Sequence, residues 1–200
     1  MSRERRGKKL KPRIFFLVEG KTEKNFFDML AQKYRLTGAR TVRVLDCQGN
    51  DFVDKAKNKL KNSQLKPDKK TKVFIVFDND GKLSDTDSEG KNNIHNLFKK
   101  AQQIEGIESC SLVISNYCFE VWLLAHFKTM TAGFKNLTSL KKELSQFLGE
   151  TYVKGNSSQI EKILNDDRVL KAIKNTNTIS SIKCEEQSTN IGVIVQDIIK

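Results

Sequence analysis

Short apolar runs alternate with amphipathic stretches along the first two thirds of the chain, and this alternation limits the possible folds more than any other feature. The runs RIFFLV, TVRVLDC, KVFIVF and SLVI occupy residues 13–18, 41–47, 72–77 and 111–114. Continuous apolarity over a few residues is typical of a strand buried on both faces of a sheet. The second run alternates somewhat, which indicates a position nearer an edge. The order βαβαβαβ predicts an α/β fold with a mostly parallel four-stranded sheet flanked by helices.

The last third of the chain has a different pattern. Beyond residue 129 strand-like runs largely stop, and apolar residues recur at helical spacing over 140–148, 160–164, 169–173 and 191–198. Thr189 and Asn190 are good caps for the last of these helices. We therefore expect a basic tail at 1–12, an α/β domain at 13–130, and a helical C-terminal extension at 131–200 packed on that domain.

The chain is strongly basic, with 36 Lys and Arg against 24 Asp and Glu and a net charge of +12. Half of that charge lies in residues 1–13, and residues 55–72 hold eight lysines and one acid. A solvated helix face is the commonest reason for such a lysine run. A basic surface also attracts polyanions, of which nucleic acid is the commonest. Nucleic acid is the partner that we expect.

Several classes of protein are excluded. No apolar run approaches the roughly 20 residues that span a bilayer, and the basic start lacks the apolar segment of a secretory signal. The four cysteines at 47, 110, 118 and 184 have the spacing of neither a zinc site nor a disulfide framework. We expect a cytoplasmic protein in which Cys47, Cys110 and Cys118 are small buried apolar residues.

Acidic residues follow three of the predicted strands. Glu19 follows the first, Asp78 and Asp80 follow the third, and Glu120 comes just past the fourth. Ligands of open α/β sheets bind outside the carboxyl ends of the strands, so these side chains should meet at one edge. Asp78 and Asp80 are two residues apart and should point the same way in an extended segment. Clustered carboxylates favour a hard divalent cation, Mg²⁺ or Mn²⁺.

A metal held by carboxylates in a basic protein suits phosphodiester chemistry. Magnesium would neutralise the phosphate, lower the pKa of an attacking water and stabilise the departing oxygen. Lys21 would place a positive charge beside the phosphate. Glu23, one turn beyond Glu19, would serve a second metal or orient a water. The surrounding lysines would add non-specific affinity for the backbone.

Each of these residues also has a structural interpretation. Glu19 would favour the following helix through its dipole, and residues 78–81 (DNDG) have the composition of a plain turn. Glu120 lies off the apolar face of its helix, where it would face solvent or pair with a lysine.

His126 has no Cys, His or Asp partner at metal-ligand spacing, so we interpret it as a packing residue. Phe119, Trp122 and Phe127 share one helical face and are interpreted as core residues.

Four segments resemble a known family. FLVEGKTE at 16–23 and FDND at 77–80 resemble the glutamate and Asp-x-Asp motifs of the TOPRIM fold. SNYCFEVWLLAHF at 115–127 is similar to the third signature of the RloB-like family, which is related to the AbiLii abortive-infection proteins. STN at 188–190 resembles the closing motif of that family, although Gln187 stands where the family usually has a proline.

The resemblance implies a TOPRIM-like catalytic domain at residues 13–130 and a metal-dependent nuclease of prokaryotic anti-phage defence, often encoded beside an ATPase partner. It implies Glu19, Asp78 and Asp80 as ligands of Mg²⁺ or Mn²⁺. Glu120 is added as a further ligand, and Glu23 and Lys21 assist. The substrate would be RNA, such as tRNA, or DNA. The alternative is a non-catalytic nucleic-acid-binding or regulatory subunit of an ATPase-containing complex, and the oligomeric state stays open.

Overall fold

A single, mostly parallel sheet organises the molecule. The computed structural model describes residues 13–36, 40–45, 51–62, 65–80 and 94–200. Within these ranges the strands are β1 (Arg13–Val18), β2 (Arg40–Val44), β3 (Thr71–Asp78), β4 (Ser109–Asn116) and β5 (Ser188–Thr189). They are ordered β2-β1-β3-β4-β5. The first four are parallel and β5 is antiparallel to β4. The α/β class and the edge position of the second strand are thereby confirmed.

Helices cover both faces of this sheet, as predicted. They are α1 (Lys21–Lys33), α2 (Phe52–Asn62), α3 (Ile94–Gln102), α4 (Glu120–Ala125), α5 (Leu137–Leu148), α6 (Ser157–Leu164), α7 (Arg168–Asn175) and α8 (Ile191–Ile199). Side chains alternate along a strand. Phe16 and Val18 of β1 therefore belong to the core that the sheet forms with α1 and α4 to α8, whereas Phe15 and Leu17 belong to the core that it forms with α2 and α3. The Phe16 ring stacks on Phe27 of α1 with centroids 4.4 Å apart.

The helices of the last third lie where the apolar spacing predicted them. Helix α6 packs on α1. Helices α5 and α7 both pack on α4, and α8 contacts β4. All four helices contribute to the same core as α1 and α4. The division of the chain at residue 130 stays a prediction.

The strand count was wrong, because the sheet has a fifth strand, β5. This strand has only two residues, both polar, and it pairs through Ser115 with Thr189 and through Asn116 with Ser188. Of the predicted cap pair, Thr189 accepts a hydrogen bond at Oγ1 from the Ile191 backbone N–H (3.4 Å). Asn190 stands at the N-cap position of α8, but its side chain makes no capping hydrogen bond. Its side chain accepts a hydrogen bond from the Ile114 backbone N–H (2.7 Å) and donates one to the Leu112 carbonyl (2.9 Å). Two residues held by hydrogen bonds produce no hydrophobic pattern, which is why the sequence did not reveal them.

Three further expectations concern the chain as a whole. Cys110 and Cys118 are buried and free, as predicted. Cys47 and the basic tail at residues 1–12 lie outside the described residues. In the described ranges, no helix combines the length and the apolarity that crossing a membrane requires.

Candidate active site

A cleft of about 390 Å³ opens at the carboxyl edge of the parallel strands. It is lined by the segments that follow β1, β3 and β4 and by residues from the α5 region and the α5–α6 connection. The lining includes Glu19, Gly20, Lys21, Thr22, Glu23, Asp78, Asp80, Tyr117, Cys118, Leu137, Lys154 and Gly155. Five of the six candidate residues from the sequence, all except Glu120, are in this lining. The structure therefore brings together candidate side chains from the ends of two different strands, β1 and β3.

Glu19 links the ends of β1 and β3. The backbone N–H of Asp78 donates a hydrogen bond to Oε2 of Glu19, with 3.2 Å between nitrogen and oxygen. Val18 and Val76 are paired in the parallel ladder, so the residues just beyond them are neighbours. The Glu19 carboxylate is thus directed toward β3. This contact is separate from the favourable interaction with the dipole of α1 that the structural interpretation of Glu19 proposes.

The segment after β3 is bound to the end of β4. The backbone N–H groups of Asn79 and Asp80 donate to the carbonyls of Ser115 and Tyr117, each at 3.0 Å. Asp80 has φ +46°, so the extended geometry that would align it with Asp78 ends before it. The reason given for expecting their side chains on the same side was therefore wrong. Both residues nevertheless line the cleft, because the hydrogen bonds to β4 fold the segment over the edge of the sheet.

Glu120, at the start of α4, is buried beneath the cleft and is only 1% exposed. Its Oε1 accepts a hydrogen bond from the Tyr152 hydroxyl at 3.3 Å and lies 3.4 Å from Nζ of Lys154. The expectation of a solvent-facing residue was wrong, whereas the alternative of a lysine partner is confirmed. Helix α4 packs against β4, α5 and α7, so its apolar stripe is not its only buried side.

Glu23 is also almost fully buried, on the first turn of α1. A Cβ atom at Gly20 would lie 2.7 Å from Oε2 of Glu23, which is closer than non-bonded atoms approach. Glycine at position 20 therefore makes room for this carboxylate. Considering the described part of the chain, Oε2 of Glu23 and Oε2 of Glu120 are buried without a hydrogen-bond partner.

Burial and neighbouring acids raise the pKa of two acids of the site, Asp78 and Glu23. Burial holds the pKa of Asp78 well above the ordinary value of an aspartate, and the charges of Glu23 and Glu120 raise it further. The pKa of Glu23 is raised chiefly by burial and further by Glu120, whereas Lys154 acts to lower it. Burial acts to lower the pKa of Lys154, but Glu120 and Asp78 outweigh it and raise that pKa. The charged forms of these acids are therefore short of positive counter-charge.

The donor chemistry of the cleft fits a hard divalent cation. The acids supply oxygen ligands, and two of their buried oxygens lack a hydrogen-bond donor. Within the described ranges, no three His, Cys, Asp or Glu side chains are arranged as a metal centre. The fit thus rests on the type of ligand and on the unbalanced charge, and Glu19, Asp78 and Asp80 are the accessible candidates to hold such an ion.

A comparison with protein families agrees with the resemblance seen in the sequence. The model of the family described as RloB-like protein matches residues 14–198. The chain belongs to the RloB-like family. No curated protein and no solved structure matches it.

The third and closing motifs of this RloB-like protein form one hydrogen-bonded unit around Asn116. The Asn116 side chain is fully buried, and its Oδ1 accepts from Nδ2 of Asn79 at 2.9 Å. Its Nδ2 donates to the carbonyls of Lys183, Cys184 and Glu186 at 3.0, 2.8 and 2.6 Å. These bonds tie the segment after β3 to residues 183–186, just before the closing motif, and Asn116 also pairs with Ser188 of that motif in the sheet. The closing motif thus supports the cleft without lining it.

The α5–α6 connection of the RloB-like protein supplies two residues that sequence reasoning missed, Tyr152 and Lys154. Asn25 of α1 donates to the Gly155 carbonyl at 2.9 Å and holds the connection against the cleft. Gly155 has φ +72°, and a Cβ there would lie 3.1 Å from Cδ of Lys21. In the sequence, Lys154 and Gly155 stand in a short polar segment. Such a pattern predicts a turn, but it does not indicate that the segment contributes to an active site.

His126 belongs to the core of the RloB-like protein. It is 1% exposed, and its Nδ1 is 3.0 Å from the Trp122 carbonyl oxygen. Burial lowers its pKa to about 4. This environment supports the interpretation of His126 as a packing residue. Phe119 and Trp122 are buried as predicted, while Phe127 is partly buried and stacks on Phe147 with centroids 5.0 Å apart.

Proposed function

We propose that this RloB-like protein is a TOPRIM-type metal-dependent nuclease that hydrolyses phosphodiester bonds in nucleic acid. The observation that carries the proposal is the meeting of Glu19, Glu23, Asp78 and Asp80 in one cleft at the carboxyl edge of a parallel sheet. Such an edge is where open α/β folds bind their ligands. In keeping with the family, we propose that the nuclease acts in prokaryotic anti-phage defence beside an ATPase partner.

Each of the six candidate residues predicted from the sequence has a role in this proposal. Glu19, Asp78 and Asp80 hold Mg²⁺ or Mn²⁺, and Glu120 supports them from below. When bound, the cation supplies charge neutralisation at the phosphate and at the departing oxygen. Lys21 binds a phosphate oxygen from the rim. The raised pKa of Glu23 suits it to take up the proton of an attacking water at a carboxylate oxygen.

The charge of the whole molecule supports a nucleic-acid substrate. The net charge is +12, although the cleft itself is rich in acid. The lysines at positions 55, 57, 59 and 61 of α2 are all exposed, as a solvated helix face requires. They add backbone affinity that weakens with salt, because phosphate binding releases counterions.

One contact favours a second candidate function. The ammonium group of Lys154 lies 3.4 Å from Glu120 and supplies part of the positive charge that a cation would supply. A site balanced in this way suits a non-catalytic nucleic-acid-binding or regulatory subunit that serves an ATPase.

Incubation of the purified protein with tRNA, single-stranded RNA and plasmid DNA separates the two candidates. Each substrate is tested with Mg²⁺, with Mn²⁺ and with EDTA. A nuclease cuts at least one of them in a metal-dependent manner, and Asp78→Asn abolishes cleavage while nucleic-acid affinity is kept. Binding without cleavage, both alone and in the presence of a proposed ATPase partner, would favour the binding subunit.

A further inference from the structure

A pair of aromatic rings, an exposed Phe134 and a partly buried Tyr117, lies at the rim of the acidic cleft. Phe134 is 62% exposed, and its ring meets that of Tyr117 edge to face, with centroids 4.6 Å apart and planes at 90°. Tyr117 lines the cleft together with Asp78 and Asp80, and so does Leu137, which is itself partly exposed. An apolar rim thus adjoins a carboxylate cleft in an otherwise polar region.

Hydrogen bonds fix the position of the Tyr117 ring. Its backbone carbonyl accepts from the N–H of Asp80 at 3.0 Å, and its hydroxyl donates to the Glu185 carbonyl at 3.2 Å. The ring is therefore attached both to the segment that carries the candidate metal ligands and to the approach to β5. A ring held in this way binds a flat ligand at a low cost in conformational entropy.

The segment that precedes Phe134 is fixed in a similar manner. Gln187 donates from Nε2 to the Thr131 carbonyl at 2.9 Å, and from its backbone N–H to the Ala132 carbonyl at 3.3 Å. A proline at position 187, usual in the family, has no side-chain amide and no N–H to make these bonds. The departure from the family motif thus anchors the segment that carries Phe134.

We propose that Tyr117 and Phe134 stack an unpaired nucleobase whose adjoining phosphate lies in the cleft, so that the substrate is a single-stranded segment of nucleic acid. This inference rests on the proposed function and names its substrate class. In an edge-to-face pair, one ring keeps both of its faces free of the other ring. Bases in a duplex hide their faces in the stack, whereas unpaired bases offer them to aromatic side chains.

The surroundings of the ring pair favour a nucleotide over a purely apolar ligand. Lys21 and Lys154 line the same cleft and carry the charge that attracts a phosphate. Base and phosphate of one nucleotide are separated by a single sugar, so an aromatic surface directly beside a phosphate site has the spacing that a nucleotide requires. Stacking is tolerant of sequence, because every base has a π face.

Fluorescence anisotropy with labelled oligonucleotides in EDTA tests the proposal without cleavage. We compare mixed-sequence single strands of RNA and DNA with blunt duplexes of the same length. Phe134→Ala should weaken single-strand binding about fivefold to a hundredfold, the range of one lost base stack, and should change duplex binding less than twofold. Phe134→Trp should retain single-strand binding, because the indole ring also stacks.

Phe147→Ala is the matched control. Phe147 is an aromatic residue of similar exposure (47%) on α5 that stacks on Phe127. Its removal should leave the affinity for all oligonucleotides within twofold. The fluorescence of 2-aminopurine in a single strand should be quenched by the wild type and less quenched by Phe134→Ala. Because the Phe134 side chain is mostly exposed, the variant should melt within a few degrees of the wild type.

Unchanged single-strand affinity in Phe134→Ala, or an equal loss for duplexes, would overturn the stacking proposal. The cleavage assay with the wild type decides the nuclease proposal separately. If the protein binds single strands through Phe134 but cuts no substrate, the stacking proposal is supported and the nuclease proposal is refuted. If the protein cuts nucleic acid but its single-strand affinity does not depend on Phe134, the nuclease proposal is supported and the stacking proposal is refuted.

Discussion

Glu120 and Lys154, which come from α4 and from the α5–α6 connection, form an ion pair beneath the cleft with 3.4 Å between Oε1 and Nζ. The Glu120 side chain is 1% exposed and that of Lys154 is 47% exposed. The two partners are therefore unequal, because water solvates the lysine but hardly reaches the glutamate. Loss of the ammonium group leaves a buried carboxylate whose Oε1 retains the hydrogen bond from the Tyr152 hydroxyl.

We expect Lys154→Met to lower the free energy of unfolding by about 1 to 3 kcal/mol at pH 7 in EDTA, the cost of an uncompensated buried polar group. Urea denaturation followed by circular dichroism measures it. If the acids bind a cation, Mn²⁺ should raise the Tm of the variant more than that of the wild type, because the ion replaces the lost charge. Lys162→Met is the control, since it removes an exposed ion pair with Glu150 that contributes about 0 to 1 kcal/mol. Equal losses in the two variants would contradict the prediction.

Asp78→Asn should stabilise the metal-free protein at neutral pH. The raised pKa of Asp78 means that the folded state binds a proton more tightly than the unfolded state. Wild-type stability therefore falls as pH rises from about 4 through that raised pKa, and a tenfold difference in proton affinity between the two states corresponds to about 1.4 kcal/mol. Asn carries no charge and escapes this loss. The gain should appear as a higher Tm, about 2 to 4 °C per kcal/mol.

Thermal melts of both proteins in EDTA from pH 4 to pH 8 check this expectation. The Tm difference should be smallest near pH 4, where Asp78 is protonated in the folded state and about half protonated in the unfolded state, and should grow toward neutral pH. Asp54→Asn serves as the control, because Asp54 is exposed on α2 beside Lys100. A lower Tm for Asp78→Asn than for the wild type at pH 7 would contradict the raised pKa of Asp78 in the folded state.

The sequence predicts those features of the molecule that leave a regular pattern. Strands β1, β3 and β4 are visible because burial on both faces makes them continuously apolar, and β2 is visible through its partial alternation at the sheet edge. Glu19 and Asp78 are visible because each follows one of the continuous apolar runs. Strand β5 is invisible, since hydrogen bonds of Ser188 and Thr189 hold it in place of apolar packing. Lys154 gives no signal either, because its place in the cleft depends on a tertiary contact between Asn25 and Gly155.

The buried side chain of His126 should make the free energy of unfolding decrease at acidic pH. Burial lowers the pKa of His126 to about 4, whereas an unfolded histidine titrates near 6.5. The unfolded state therefore binds more protons between these values, and stability falls as pH decreases from about 6.5 to 4. The loss reaches about 1.4 kcal/mol per pH unit in that window.

His126→Gln should reduce this slope, because glutamine does not titrate. Urea denaturation at several pH values between 4 and 7 measures it, and the slope matters more than the absolute stability, since any substitution in this core affects packing. His95→Gln is the control, because His95 is exposed on α3. If His126→Gln and the wild type lose stability in parallel below pH 6.5, His126 is not the group responsible.

Asn116→Ala should destabilise the fold and disturb the cleft together. The substitution removes the hydrogen bonds that the Asn116 amide makes with Asn79 and with the carbonyls of Lys183, Cys184 and Glu186, although the Lys183 and Glu186 carbonyls keep a bond from the Ser188 hydroxyl. Each lost hydrogen bond contributes about 0.5 to 1.5 kcal/mol, so we expect a loss of about 2 to 5 kcal/mol. Asn58→Ala, on the exposed side of α2, should change stability by less than about 0.5 kcal/mol.

The effect of Asn116→Ala on the cleft follows from its position between two segments. Asn79 lies between Asp78 and Asp80, so loss of its partner frees the segment that carries both candidate metal ligands. Isothermal titration with Mn²⁺, performed at a temperature where the variant is fully folded, should show weaker binding than in the wild type. Asn116→Ala with wild-type stability and wild-type Mn²⁺ affinity would mean that the third and closing motifs serve a purpose other than supporting the ends of β3 and β4.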